Sequence, residues 1–434
     1  MKRRAFLKKT GIAATGIFAA PYILPSGRLF AATGARKANH VVFCLFAGGI
    51  RNFESVQKAE GNLMKGMLSG SESISADIIA GMDVLPSTII GSPLQSLGTL
   101  FKEFRYKEGP TGHFNGHTTA LTGVYTNNDV NIKEPPKFPT IFEYYRKHNS
   151  PLNSAVNAWW VSNTLGPYPA LNFSKYAGYG AEYGANFIQP SSIISIPGYN
   201  SLGNPKVFST SENTLVKNIR GFCDNNFAGK YVAGDAGVTN SEADAVKVES
   251  FISKSFSEAA AGMYDDPWGI GNSMNDDMFN IFSAENILKE FKPELLVVNM
   301  QNVDICHSDF TEYCNNLRKA DWAVNHLWSV IQNTPGLKDD TVLIVAPEHG
   351  RNLTPNTLKD KYGRYALDHT SDEISRQIFC LVVGPPGVVK QGQVISSVEG
   401  ESIDIVPTIA NILGFDTDIP PGMLLGSPLL KAFN

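Results

Sequence analysis

The sequence predicts an α/β protein built around a mostly parallel sheet, and two kinds of pattern predict it. Short, almost continuous apolar runs have the length and composition of strands that are buried on both faces. Amphipathic helical patterns separate several of these runs along the chain. Strands that alternate with helices are typical of a parallel sheet that carries helices on its faces.

Four apolar runs are the predicted strands. The first, His40–Phe46, continues into Ala-Gly-Gly and is therefore expected to enter a tight turn. The other three lie late in the chain, at 295–300, 341–346 and 378–383. Because these runs are almost continuously apolar, we expect all four strands in the buried part of the sheet.

Helical patterns account for much of the remaining late sequence. Between 310 and 332, apolar residues recur close to every 3.6 positions, as expected for one long amphipathic helix. A shorter helix is predicted at 403–413, with Asp404 in its first turn and Gly414 just past its end, two residue types that favour these places. Further helical patterns lie at 212–225, 242–261 and 277–291.

The middle of the chain differs from the rest. From about 165 to 207 the sequence is rich in Gly, Tyr, Asn, Ser and Pro and has little periodicity. We interpret 165–290 as an insertion or lid region that elaborates a single domain spanning 38–434. The chain contains no internal repeat and no low-complexity tract.

Residues 1–32 have the pattern of an export signal. A basic start precedes an uncharged, modestly apolar stretch and then small residues near Ala32. The run RRAFLK at positions 3–8 matches the twin-arginine signal. We therefore predict export by the twin-arginine translocase, to the periplasm or otherwise across the cytoplasmic membrane, with cleavage near Ala32. An uncleaved membrane anchor is the alternative, although two prolines interrupt the stretch.

The composition of the 434-residue chain is that of a globular protein, with 43% hydrophobic and 18% charged residues. Lys and Arg number 37 and Asp and Glu 41, which gives a formal net charge of −4. No basic patch stands out, so the sequence excludes a nucleic-acid partner. Since residues 1–32 contain six bases and no acids, their removal would change the net charge from −4 to −10.

Three late motifs each combine histidine with a carboxylate. They are, in chain order, Asp304-x-x-His307, Glu348-His349-Gly350 and Asp368-His369. Each motif alone has an ordinary structural interpretation as a helix cap, a turn or a polar pair on the surface. The first two directly follow predicted strands, however, and parallel sheets bind ligands at the carboxyl ends of their strands. Because imidazole and carboxylate are the ligands of zinc, manganese and similar ions, the set predicts a divalent metal site.

The order of these motifs resembles the alkaline phosphatase superfamily, in its sulfatase-like and phosphodiesterase-like branch. Three more segments carry the resemblance: GIR at 49–51, LTGVY at 121–125 and DIVPTIANILG at 404–414. The export signal and the order Glu-His-Gly-Arg also resemble exported sulfatase-like proteins of the DUF1501 type. The likeness covers about 40–147 and 293–415, and it implies a three-layer α/β/α sandwich with a central mostly parallel sheet.

The resemblance also implies roles for single residues. One metal ion would be held by Asp304, His307 and His369. Glu348 and His349 would contribute to a second ion, with Glu in place of the usual Asp. Since the second ion lacks further ligands in this chain, we expect one bound ion rather than two. Zinc is the expected metal, with calcium and manganese as alternatives.

The chain departs from the family pattern at two positions. The acid that should follow the first strand is replaced by Gly48, and the nucleophile by His113. His113 is therefore the candidate catalytic residue, either as an activator of water or as a nucleophile toward phosphorus. Three threonine hydroxyls, at 111, 118 and 119, are alternative nucleophiles, although their spacing is wrong by one or more residues. His117 is expected only to pack or to cap.

Two functions follow from this pattern. The first is an exported, metal-binding, sulfatase-like hydrolase of phosphate or sulfate esters that works with a degenerate active site on a small-molecule or glycan substrate. The alternative is a catalytically silent relative that serves as a scaffold or subunit of an envelope or cell-surface assembly, with protein partners there. Gly48 and His113 favour the second, whereas the metal-ligand motifs favour the first.

Overall fold

The computed structural model describes residues 34–127, 135–149, 154–163, 171–190, 238, 240–271, 274–370 and 372–434. The predicted export segment and the helical pattern at 212–225 lie outside these residues. Among the residues that are described, no helix is long and apolar enough to cross a membrane.

One eight-stranded sheet forms the centre of the described chain. Its strands are β1 (His40–Phe46), β2 (Gly98–Arg105), β3 (Ala158–Val161), β4 (Asn186–Ile188), β5 (Leu295–Met300), β6 (Thr341–Pro347), β7 (Gln377–Val383) and β8 (Gln393–Glu401). Their order across the sheet is β4-β3-β5-β1-β6-β7-β2-β8. Only β7 runs antiparallel to its neighbours, β6 and β2, and all other pairs are parallel. The predicted mostly parallel sheet is therefore confirmed.

Helices cover both faces of the sheet. They are α1 (Ala76–Ala80), α2 (His113–Thr122), α3 (Ile141–His148), α4 (Glu242–Ala260), α5 (Asp276–Phe291), α6 (Phe310–Asn333) and α7 (Ile405–Leu413). Apolar residues of α4, α5 and α6 share one core with one face of the sheet. Those of α2, α3 and α7 share a second core with the other face. The predicted three-layer α/β/α sandwich is therefore confirmed.

β1 shows why an unbroken apolar run was needed at the centre. Val42, Cys44 and Phe46 belong to one core, and the alternate residues of the strand belong to the other. Because side chains of a strand point alternately to its two faces, a strand with a core on each side must be apolar throughout. Each fully buried aliphatic or aromatic side chain contributes about 1.5–3 kcal/mol of transfer free energy.

All four predicted strands are present, but β2, β3, β4 and β8 were not predicted. β8 lies at an edge of the sheet and is only partly buried, so its sequence is largely polar. β3 and β4 have only 4 and 3 residues, which is too short for a recognisable pattern. Strand prediction from apolar runs thus found the three central strands and the antiparallel β7, and it missed the two outermost strands on each side of the sheet.

The predicted helices at 242–261, 277–291 and 310–332 are also present, as α4, α5 and α6. The helix predicted at 403–413 begins later, at Ile405, because 402–404 form a short 3₁₀ turn. Asp404 therefore lies before the helix, where its carboxylate accepts hydrogen bonds from the backbone N–H groups of Glu401 and Ser427 (2.9 and 2.7 Å). Gly414 ends α7 with a left-handed φ of 76°, as predicted.

The described part of the predicted insertion is joined to the sandwich. β4 is the edge strand beside β3, and α5 packs on β5 and α6. The boundaries of the insertion, at 165 and 290, stay a prediction.

Candidate metal centre

The carboxyl ends of three adjacent central strands form the floor of the site. Phe46, the last residue of β1, is level with Met300 of β5 on one side and with Pro347 of β6 on the other. The chain segments that leave these strands therefore start side by side. They carry Gly48, Asp304 and Glu348, so the predicted site residues of three strands meet at one edge.

Two further histidines reach the same edge from other elements. α2 begins at His113, after β2, which is parallel to the central strands. His369 precedes β7 in the chain. Because β7 is antiparallel, its first residue lies where the parallel strands end, and the loop before it brings His369 to the site. The reversed direction of one strand thus completes the site.

An outer group of ligand atoms surrounds Asp304. The Oδ1 atom of Asp304 lies 3.1 Å from Nε2 of His113 and 3.3 Å from Nε2 of His307. Ligand atoms of His113, Asp304, His307 and His369 all lie within 4.8 Å of one another. We call Asp304, His307 and His369 the outer group, because the side chains of Asp304 and His307 are 22% and 37% exposed.

An inner group surrounds Glu348 and consists of Glu348 and His349. The Oε1 atom of Glu348 lies 2.7 Å from Nδ1 of His113 and 3.2 Å from Nε2 of His349. The backbone N–H of Gly48 donates to the same oxygen at 2.5 Å. Both side chains of the inner group are fully buried. His113 contacts the carboxylate of each group, so it lies between them.

Three of the four histidine rings are held from outside the cluster. Nδ1 of His307 donates to Asp368 (2.6 Å), Nδ1 of His349 to the Gly350 carbonyl (2.9 Å) and Nδ1 of His369 to the Thr111 carbonyl (2.5 Å). Since carbonyl and carboxylate oxygens only accept, Nδ1 of each ring carries the proton. The neutral ring then has its lone pair on Nε2. A hydrogen bond from Nδ1 to an oxygen outside the cluster is typical of histidines that bind a metal through Nε2.

The charges of the site shift the pKa values of its members strongly. Burial by itself would raise the pKa of Glu348, but the neighbouring imidazoles of His117, His349 and His113 outweigh it and hold that pKa well below its ordinary range. Burial would lower the pKa of His113, yet the charge of Glu348 and hydrogen bonds to Asp304 and Glu348 raise it to about 9. In the metal-free protein, His113 is therefore an imidazolium ion between two carboxylates.

Two other histidines, His349 and His369, stay neutral for the opposite reason. Burial is the largest cause that lowers the pKa of His369, and the neighbouring His349, His113 and Arg351 lower it further. Burial also lowers the pKa of His349. A neutral imidazole is the form that binds a metal ion, so these two rings are ready to act as ligands.

Gly48 leaves no room for the carboxylate that the family pattern places there. Its φ is +96°, and a Cβ atom at this position would lie 2.6 Å from the backbone nitrogen and 2.9 Å from Cα of Asp304. Its N–H instead donates to Glu348. The glycine is therefore required by the close approach of the segments that follow β1 and β5.

One buried atom of the inner group tests whether a cation fits. His349 Nε2 has no hydrogen-bond partner among the described residues. It lies 3.2 Å from Oε1 of Glu348, but an ionised carboxylate cannot donate to it. A buried polar atom without a partner is costly, and a bound cation would satisfy it. The donor set therefore fits a divalent metal ion.

The structure brings all six predicted site residues together: His113, Asp304, His307, Glu348, His349 and His369. The expectation that His117 only packs was wrong, because its ring contacts Glu348 and its Nε2 lies 2.8 Å from Oδ1 of Asn299. The four-residue spacing from His113 on one helix could have indicated this.

Arg351 was missed as a site residue. Its fully buried guanidinium donates to Oδ1 of Asp304 at 2.7 Å and to the Leu367 carbonyl at 3.0 Å. Its place directly after Glu-His-Gly was the available signal, since a buried arginine beside a carboxylate fixes that carboxylate in position.

No family model matches this chain, and no curated protein matches it. Among solved structures, it is similar to a protein of the alkaline phosphatase superfamily from Vibrio parahaemolyticus, with 12% identity, 92% of this chain and 71% of the other covered, and a TM-score of 0.47. It is also similar to the alkaline phosphatase PafA, with 10% identity, coverage of 92% and 99%, and a TM-score of 0.47. A phosphonate monoester hydrolase from Silicibacter pomeroyi has 15% identity, coverage of 90% and 75%, and a TM-score of 0.40.

Proposed function

We propose that this chain is a member of the alkaline phosphatase superfamily and a metal-dependent hydrolase of phosphate or sulfate esters. One observation carries the proposal. In each of two overlapping sets, imidazole and carboxylate groups from separate elements converge within 4.8 Å, and the three rings anchored through Nδ1 leave Nε2 as the remaining ligand atom. Such a cluster is suited to binding a cation rather than to supporting the fold, because His349 Nε2 is buried without a hydrogen-bond partner among the described residues.

Asp304, His307 and His369 would hold the ion, with His113 as a further ligand. A divalent cation bound there acts as a Lewis acid toward an ester oxygen and lowers the pKa of a bound water molecule. The guanidinium of Arg351 donates to Oδ1 of Asp304 at 2.7 Å and holds this carboxylate in place. Since zinc is commonly bound by imidazole and carboxylate, zinc is the expected metal, with manganese and calcium as alternatives.

The substrate is expected to approach from the side of His307. The His307 side chain is 37% exposed, whereas Glu348 and His349 are fully enclosed. Asp368 orients His307 from the solvent side through the 2.6 Å hydrogen bond to Nδ1. An ester oxygen can therefore reach only the outer group, and the inner group lies on the buried side of the outer group.

Water is the expected nucleophile. Thr111, one of the three threonines considered above, donates its hydroxyl proton to the carbonyl of His369 and is held in that contact. The position that carries the family nucleophile is taken by His113, whose two nitrogens already face carboxylates. A protein hydroxyl is thus not needed if the outer group orients a water molecule for attack on the ester.

We also propose that the protein works after export, in the periplasm or at the cell surface, since RRAFLK at 3–8 matches a twin-arginine signal. The DUF1501-type relationship and a glycan or small-molecule ester as substrate belong to the same proposal.

The test combines metal analysis with hydrolysis assays. Protein purified without chelator should contain a divalent metal and hydrolyse at least one of an aryl phosphate, an aryl phosphodiester and an aryl sulfate. His307→Ala should reduce that activity by more than about 100-fold, because a metal contributes several kcal/mol to the transition state. His326→Ala is the matched control: this histidine is also paired with a carboxylate, Glu285 at 3.0 Å, but lies outside the cluster. Activity that is unchanged in His307→Ala would refute the proposed site.

The second candidate is a metal-binding protein without turnover that serves as a scaffold or subunit in an envelope assembly. It is favoured by Gly48, which has no room for the missing carboxylate, and by the imidazole of His113 at the nucleophile position. Bound metal together with no hydrolysis of any of the three substrates would select this candidate.

A further inference from the structure

We propose that His113 is a bridging ligand, which binds one divalent cation of the outer group through Nε2 and a second cation of the inner group through Nδ1. This inference deepens the proposed function of the same site. It assigns the position of the family's nucleophile to a metal ligand, and it replaces the expectation of a single bound ion by that of a pair.

The positions of the two ring nitrogens carry the proposal. Nε2 of His113 lies 3.1 Å from Oδ1 of Asp304, and Nδ1 lies 2.7 Å from Oε1 of Glu348. Each nitrogen thus faces the carboxylate of a different group. His113 also belongs to both clusters of potential ligand atoms, one with Asp304 and the other with Glu348.

His113 differs from the other three rings in having no outer anchor. His307, His349 and His369 each donate Nδ1–H to an oxygen outside the ligand set. A ring that is anchored in this way can bind one cation only, through its remaining nitrogen. Both nitrogens of His113 face potential ligand groups instead, so this ring can bind two cations.

The bridge would also complete the inner site. Glu348 and His349 by themselves offer two ligands, which is fewer than the three that zinc sites with an open position take from the protein. Nδ1 of His113 supplies the third. His349 Nε2, which is buried without a hydrogen-bond partner among the described residues, would then bind the inner cation.

The chemistry of the bridge suits zinc, copper and cobalt ions, which imidazole nitrogen binds well. In the bridging state the ring carries no N–H proton, and the protons that it held are released to solvent. The inner cation would be enclosed, because the Glu348 and His349 side chains are fully buried. The outer cation would remain open to substrate on the side of His307, which is 37% exposed.

Metal counting and magnetic coupling test the proposal on the full chain. The wild-type protein, titrated with Zn²⁺, should bind two ions per chain, and His113→Ala should bind one. With Cu²⁺ in place of Zn²⁺, the wild type should lose most of its electron paramagnetic resonance signal at low temperature, since an imidazolate bridge couples the two spins. His113→Ala should show the ordinary signal of an isolated copper ion, and His326→Ala should behave as the wild type.

One bound ion in the wild type, two ions without magnetic coupling, or two ions in His113→Ala would overturn the bridge. The wild-type measurements decide the question even if His113→Ala fails to fold. The outcome is distinguishable from failure of the proposed function. Hydrolysis that depends on His307, together with one bound ion, would support the proposed function and refute the bridge. Two coupled ions without hydrolysis would support the bridge and refute the proposed hydrolase function.

Discussion

Two carboxylate–imidazole pairs in the site have nearly the same length but different surroundings. Glu348 and His113 are 2.7 Å apart, and Asp368 and His307 are 2.6 Å apart. The Glu348 side chain is fully buried, whereas that of Asp368 is 43% exposed. Geometry alone would rank the two pairs as equal. Their energies differ because water screens and solvates the outer pair, while the inner pair depends on protein partners alone.

This difference indicates how the site divides its tasks. In the inner pair, Glu348 accepts a hydrogen bond from the Gly48 N–H, which holds its carboxylate in place at the floor of the site. The outer pair lies at the opening, where Asp368 orients His307 while solvent has access. The predictions below examine this division, beginning with the largest expected effect.

Replacing each carboxylate by its amide compares the two pairs directly. In metal-free protein, Glu348→Gln should lower the free energy of unfolding by about 3–5 kcal/mol, since it removes one of the two carboxylates that compensate the charge of His113 and the one that is fully buried. Asp368→Asn should cost less than about 1 kcal/mol, because polar pairs that are exposed to solvent contribute little. Denaturant unfolding in the presence of a chelator measures both. Equal losses in the two variants would show that burial does not separate the pairs.

The stability of the metal-free protein should also depend on pH through His113. Its pKa is raised from 6.5 to about 9 in the folded state, so the stabilisation is complete below pH 6.5 and is lost as the pH rises to about 9. The difference corresponds to about 3 kcal/mol at most. His349 and His369 do not contribute to the pH dependence between pH 6.5 and 9. Their pKa values are lowered in the folded state, so both rings are neutral above pH 6.5 in the folded and the unfolded protein.

Unfolding measured between pH 6 and 9.5, for the wild type and His113→Gln, isolates this contribution. The four buried thiols in the described residues affect both proteins in the same way. The stability difference between the two proteins should shrink as the pH rises. A stability difference that does not change with pH would contradict a charged His113. Saturating Zn²⁺ should remove the pH dependence between pH 6.5 and 9, since the metal replaces the proton on His113.

Gly48, at the floor of the site, gives the smallest predicted change in stability. Gly48→Ala should destabilise the protein by about 2 kcal/mol more than Gly422→Ala, since overpacking adds to the backbone strain. Both glycines have a positive φ, 96° and 83°, but a Cβ at 422 meets nothing within 4 Å, whereas one at 48 meets Asp304. Thermal or denaturant unfolding of the two variants checks the difference. Similar losses of stability in the two variants would show that the segments around Gly48 can move apart to accept a Cβ atom.

Particular residues show how far the sequence could predict this site. Asp304, His307 and His349 were found because each follows an apolar strand run, and such runs report burial directly. His369 was found only by its order in the chain, because its place depends on the direction of β7, which no local pattern encodes. Arg351 and His117 were missed as members of the site, since their partners Asp304 and Glu348 are distant in the chain or on another element.

The sequence by itself determined the central strands, the long helices and the set of candidate metal ligands, because apolar periodicity and motif spacing are local properties. It also places a glycine at 48 and a histidine at 113, where the resemblance leads us to expect a carboxylate and a hydroxyl. Only the tertiary structure decided what these two residues do. Gly48 is required by the 2.6 Å approach of the Asp304 backbone, and His113 lies with one nitrogen toward each carboxylate. Both facts depend on contacts between residues far apart in the chain, which follow from strand order and direction rather than from any one segment.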